Sequence, residues 1–216
     1  MKTQRASHNV KSSVGASATS RHPGSDSMHK SSAPNPQFLK DFISQMLAVE
    51  QGGVKLYERA LSELAHEELR DQLETFRAQT EHHVELCEEM LRASGAEDDY
   101  LSPEAEAAEY KAEGLISTEV PEELCDMNNL ENLVLAETKD HWNWEVLKSI
   151  ASHIKEPELK QIAGKAVKDV FKEENDHVAW TQKMLTQVAM EMSQATANND
   201  LDEDSDEDTE HSRRHQ

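Results

Sequence analysis

The chain has 216 residues, enough for one domain of ordinary size with tails. Its hydrophobic share is 36% and its aromatic share 5%, and its 7 Gly and 6 Pro are too few for a sandwich or barrel, which turns every 8–12 residues or so. The formal net charge of −21 repels nucleic acid and anionic membrane and attracts cations. No apolar run approaches the ~20 residues that cross a bilayer. Two cysteines, Cys87 and Cys125, make neither a disulfide framework nor a Cys-rich zinc site, and they suit a reducing, cytoplasmic setting.

Residues 1–36 hold nine serines and five basic residues against one acid, Asp26. Their only branched aliphatics are Val10 and Val14, so the segment is expected to be a disordered basic tail. It is Ser-rich and basic like a targeting peptide, but it lacks the Leu and Phe of an amphipathic targeting face. From 37 to 197 the apolar period is helical. A first helix over 37–64 places Leu39, Ile43, Met46, Val54, Tyr57, Leu61 and Leu64 at steps of three and four, with Glu50 as the one polar rung. A second, over 67–93, carries Leu69, Leu73, Phe76, Thr80, His83, Cys87 and Met90 and stops before Gly95. The short link at Ala65–His66 makes these two antiparallel neighbours.

Residues 94–120 read as a long connection with a short acidic helix beginning at Ser102–Pro103. The third long helix, 121–153, has Leu130, Val134, Glu137, His141, Trp144 and Leu147 in register. The fourth, 157–190, opens at Pro157 and carries Leu159, Ala163, Ala166, Val170, Glu174, His177, Thr181, Met184 and Val188. Residues 198–216 are expected to be a solvated, disordered acidic tail. The expected fold is all-α: a four-helix bundle over 37–197 with a long crossover between helices two and three.

Every long helix sets metal-ligand residue types inside its apolar stripe: Glu50; His83; Glu137; Glu174 with His177. Burying an unpaired ionised carboxylate costs several kcal/mol, against about 5–15 kcal/mol of net stability for a whole domain. No Lys or Arg lies in the stripes at those levels, which leaves divalent cations as the neutraliser. Glu174 and His177, three residues apart, stack on one helix face and converge on one ion.

With these residues in place the chain resembles the ferritin-like superfamily over about 37–190. The motifs are Leu47-Ala-Val-Glu50-Gln, Gln79-Thr-Glu-His-His83-Val-Glu, Leu135-Ala-Glu137 and Lys172-Glu-Glu174-Asn-Asp-His177-Val. That family takes a Glu from each of two helices and Glu-x-x-His from each of the other two around a di-iron or di-manganese centre. The resemblance implies Glu50 and Glu137 as the single carboxylates, Glu174 and His177 as one pair, and His83 as half of the other. It departs at Thr80, where the family pattern wants Glu. The alternatives are Gln79 or Glu81 standing in, Asp140 compensating from the third helix, or one tight metal position beside a loose one. His141 reads equally as ligand, supporting partner or core histidine; Tyr57 and Trp144 read as packing and Cys87 as a small buried hydrophobe.

The mixed Glu/His set suits Fe or Mn better than zinc or magnesium. The resemblance implies two ions, O₂ or peroxide as partner, and a protein that oxidises or buffers Fe(II) against oxidative stress. The alternatives are a dimetal oxidase or manganese-catalase-like enzyme, and a non-catalytic helical interaction module. A homodimer is preferred over a larger homo-oligomer.

Overall fold

The computed structural model describes residues 33–211, with side chains described through Gln194. Of the expected basic tail only Ala33–Pro36 lie within the described residues, and the acidic tail beyond His211 lies outside them. The described residues contain five α-helices and no strand: α1 Pro36–Ser62, α2 Arg70–Ala93, α3 Pro103–Ile116, α4 Cys125–Ala151 and α5 Pro157–His211. Among them, no helix is long and apolar enough to cross a membrane.

Local chemistry explains the helix ends. Asn35 caps α1 by accepting from the Gln37 amide at 2.9 Å, with Pro36 at the first turn. Ser102 caps α3 in the same way, accepting from the Ala105 amide at 3.0 Å ahead of Pro103. At the end of α2, Gly95 takes a φ of 73°, a conformation in which a Cβ would be strained. The last helix continues to His211, past the expected end at 190 and through the acidic run. No Gly or Pro occurs after Gly164 to stop it.

Four of the helices share their interior in two apolar clusters. One holds Ile43 and Met46 of α1, Cys87 and Met90 of α2, Trp144 and Leu147 of α4, and Leu159 and Ala163 of α5. The other takes the opposite halves of the same helices: Leu56 and Tyr57, Leu73 and Phe76, Leu130 and Leu133, Met184 and Val188. The order in which each helix visits the clusters fixes its direction. α1 and α5 run one way, α2 and α4 the other, so the α2-to-α4 connection returns along the length of the structure. α3 rides on that connection and packs against α1.

Between the two clusters lies a buried polar layer of Glu50, Thr80, His83, Glu137, Asp140, Glu174 and His177. On α4 the interior face is Leu130, Leu133, Glu137, Asp140, Trp144 and Leu147, so Leu133 and Asp140 replace the expected Val134 and His141. Steps of three and four both fit a 3.6-residue turn, and this face also buries Asn129, Asn132 and Asn143. Apolar periodicity is therefore a poor guide to it.

Two long-range clamps set the connections. Asp126, on α4, accepts from the amides of Ala65 at 3.1 Å and His66 at 2.8 Å and pairs with the His66 ring. Its grip holds the α1–α2 link open over 63–69, wider than the expected two residues, with a 3₁₀ turn at Glu67–Leu69. Arg59, on α1, donates to the carbonyls of Leu115, Ile116 and Thr118 at the end of α3. A guanidinium there satisfies orphan carbonyls and the negative end of the helix dipole.

Gly52 is where α3 comes closest to α1: a Cβ there would lie 2.8 Å from the Ala112 Cβ. Gly52→Ala is expected to cost about 1–3 kcal/mol by overpacking. Gly114→Ala, with nothing within 4 Å, is expected to gain about 0.5–1 kcal/mol of helix propensity. Urea unfolding midpoints that move in opposite directions are the expected result. The hydrogen bond from Asp126, with smaller help from Glu68 and Glu191 and against burial, raises the His66 pKa above its ordinary 6.5. Its contribution is therefore complete below 6.5 and declines as pH climbs through the raised value. The stability difference between wild type and His66→Gln should shrink from pH 6 to pH 9 in denaturant titrations.

Candidate metal centre

Each of the four interior helices delivers at least one acid or imidazole to the polar layer. Glu50, His83, Asp140 and Glu174 each offer one ligand atom, and these atoms lie within 4.8 Å of one another. Glu137, Glu174 and His177 form a second such group. All seven contributions are buried, and Glu174, 0% exposed, belongs to both groups.

The neighbours of these side chains orient them. Trp144 Nε1 donates to Glu50 Oε1 at 2.8 Å, and the Tyr57 hydroxyl donates to Glu137 Oε1 at 2.6 Å. His83 Nε2 is 2.9 Å from Glu173 Oε2, and His177 Nε2 is 2.9 Å from Gln79 Oε1. Both partner oxygens are acceptors, so each Nε2 carries the hydrogen and each Nδ1 is left facing the acids. A histidine tied through its far nitrogen to a carboxylate or carbonyl is the arrangement that fixes tautomer and ring angle in metal sites.

His177 Nδ1 meets Glu137 Oε2 at 3.2 Å, but at the four-donor group the inward-facing atoms are unsatisfied. Glu50 Oε2, His83 Nδ1, Asp140 Oδ1 and both carboxylate oxygens of Glu174 are buried without a hydrogen-bond partner. His83 Nδ1 lies 3.2 Å from Glu174 Oε1 and 3.6 Å from Glu50 Oε2, near enough for strong attraction but without hydrogen-bond alignment. Buried polar groups are almost always paired, and here the orphans converge.

The electrostatics follow. Burial raises Asp140 well above the usual carboxylate range, and the charges of Glu50, Glu174 and Glu137 add to it. Burial pushes Glu174 up to about 7, with the attraction of the adjacent His83 ring opposing. At His83 burial works the other way, but Glu174 and Glu50 outweigh it and push the ring up to about 11. Burial likewise opposes protonation of His177, and Glu137 overcomes it. Burial, then Glu137, raises the Tyr57 hydroxyl, which keeps it a donor. Each shift reports a place crowded with negative charge.

The donor set fits divalent cations. Four carboxylates balance two such ions in charge, and mixed oxygen and imidazole donors match Fe or Mn. The group at Glu50, His83, Asp140 and Glu174 has four donors; the group at Glu137, Glu174 and His177 has three.

All five residues singled out from sequence, Glu50, His83, Glu137, Glu174 and His177, meet in this layer. Asp140 joins them from α4, three residues after Glu137. Thr80 contributes no carboxylate; its hydroxyl donates to the Phe76 carbonyl within α2 at 3.0 Å. Glu81 is exposed and paired with Arg77, His82 is exposed beside Glu85, and Gln79 serves His177. His141 lies against Phe171 and Trp142 and belongs to neither group. Tyr57 and Trp144 do more than pack, since each holds one acid. Glu173 and Gln79 were not readable as partners, because their acceptors meet rings 90 and 98 residues away.

No family model matches the chain, and neither does any curated protein or solved structure.

Two variants separate the positions in a Mn(II) titration followed by EPR. Asp140→Asn should weaken the four-donor position while sparing the other. Gln79→Leu, which strips His177 of its acceptor, should weaken the three-donor position about 10–100-fold. Identical titrations for wild type and both variants would contradict this assignment.

Proposed function

We propose that the chain is a ferritin-like four-helix bundle holding a dimetal centre of Fe or Mn, and that it oxidises or buffers Fe(II) and so limits oxidative stress. The observation that carries the reading is Glu174: a fully buried carboxylate common to two ligand groups, with neither oxygen hydrogen-bonded. Two cations, one at each group, would account for both oxygens. Direction and connectivity support the bundle, since α1 and α5 oppose α2 and α4 and a long crossover joins α2 to α4.

In the proposed roles, Glu50, His83, Asp140 and Glu174 would hold one ion, and Glu137, Glu174 and His177 the other. Bound Fe or Mn supplies one-electron cycling between the +2 and +3 states toward O₂ or peroxide. The chain's own residues do the rest. The four acids favour the higher charge, while Tyr57 and Trp144 keep Glu137 and Glu50 from swinging. The flanking apolar clusters exclude water from the layer. The three-donor group, with fewer protein ligands than the other, would be where incoming Fe(II) or an oxidant is met.

Elemental analysis of wild type, Glu137→Ala and His177→Ala, each reconstituted anaerobically with Fe(II), tests the proposal. Wild type should retain up to two ions per chain and both variants fewer; equal metal in all three removes the site. Ligation to the folded state alone should also stabilise it by about 2.7 kcal/mol at a hundredfold excess over Kd, read as a rise in Tm. Aerobic Fe(II) oxidation that stops after a few equivalents points to an oxidase, and hundreds of equivalents to a storage assembly.

A further inference from the structure

A cleft of about 290 Å³ opens between α1, α3 and α4. Its walls are aliphatic, from Val49 and Leu56 of α1, Ala108 and Leu115 of α3, and Leu135 and Ala136 of α4. Its polar groups come from Gln45, Lys111 and Lys139. Small residues make the room: Gly52, Gly53 and three alanines line it, where larger side chains would fill it.

The chain has 43 acids against 22 Lys and Arg, yet no acid lines this cleft and its charged lining groups are the two lysines. Elsewhere some cations pair locally along a helix, as Arg77 with Glu81, Lys148 with Glu145 and Lys172 with Asp176. Neither Lys111 nor Lys139 has such a partner. The residues three and four away from Lys111 are Ala107, Ala108, Gly114 and Leu115. Those flanking Lys139 are Leu135, Ala136, Trp142 and Asn143. Lys139 donates instead to the neutral amide oxygens of Asn143 and Gln45. Two cations therefore line an apolar cleft that has no acid among its walls.

We infer that this cleft binds an amphipathic organic anion, a medium-chain carboxylate whose hydrocarbon lies along the aliphatic walls and whose head sits between Lys111 and Lys139. An anion at that end of the cleft gains charge-assisted hydrogen bonds from the two ammoniums. The chain gains from burial against Leu and Ala side chains. Charge argues against a second copy as the occupant, because two molecules of net charge −21 repel. The inference does not depend on the metal centre.

Isothermal titration of the full chain with octanoate, octan-1-ol and octyltrimethylammonium tests it. Octanoate should bind once per chain, at least tenfold more tightly than the alcohol, with the cation weakest. The double variant Lys111→Gln/Lys139→Gln should lose at least tenfold for octanoate and leave the alcohol unchanged. Ala108→Phe, which fills the cleft, should weaken both, with far-UV circular dichroism unchanged in each variant. Three outcomes overturn the inference: no saturable octanoate binding, equal affinity for octanoate and octyltrimethylammonium, or no loss in the lysine variant. So does a dimer in sedimentation that octanoate leaves intact and Ala108→Phe dissociates, since a second copy then covers the cleft.

Discussion

Glu174 is the constraint around which the interior is arranged. A carboxylate with no exposure and no hydrogen bond is intolerable in an apolar core, so charge of the opposite sign must come to it. The surrounding side chains answer in part: His83 and His177 bring their Nδ1 atoms toward it. Three further acids at the same level undo that compensation, and the proposed cations restore it. The two apolar clusters on either side then carry the hydrophobic stabilisation that the polar layer does not.

Thr80 shifts the weight of the site from one helix to another. Where a carboxylate from α2 would stand, a threonine turns its hydroxyl back onto its own helix, and Gly53 comes so near that a Cβ there would be 3.3 Å from the Thr80 methyl. The fourth acid is instead Asp140, one turn along α4 from Glu137. Two donors from α4 and one from α2 make the two ligand groups unequal, four against three. That asymmetry suits one firmly held ion beside one that exchanges.

α4 is also where the interior and the surface features meet. One face offers Glu137 and Asp140 to the polar layer, and the next offers Leu135, Ala136 and Lys139 to the cleft under α3. Arg59 holds the end of α3 from α1, and Gly52 lets the two helices touch. The crossover connection thereby forms one wall of the cleft as well as returning the chain.

Much of this was legible in the amino-acid order. Steps of three and four located the long helices, Ser102-Pro103 and Pro157 marked two helix starts, and Glu or His within an apolar stripe exposed five of the six acids and imidazoles in the layer. Those features are local, carried by residues within a few turns of each other, and a linear pattern records them. Asp140 was legible only as one of several alternatives to a missing α2 carboxylate, because steps of three and four are equally helical, and a polar face offers no apolar signal to choose between them. The width of the α1–α2 link, the hold of Tyr57 and Trp144 on two acids, and the cleft beneath the crossover were decided only by tertiary structure. Each depends on side chains dozens of residues apart, which only the folded helices bring within contact distance.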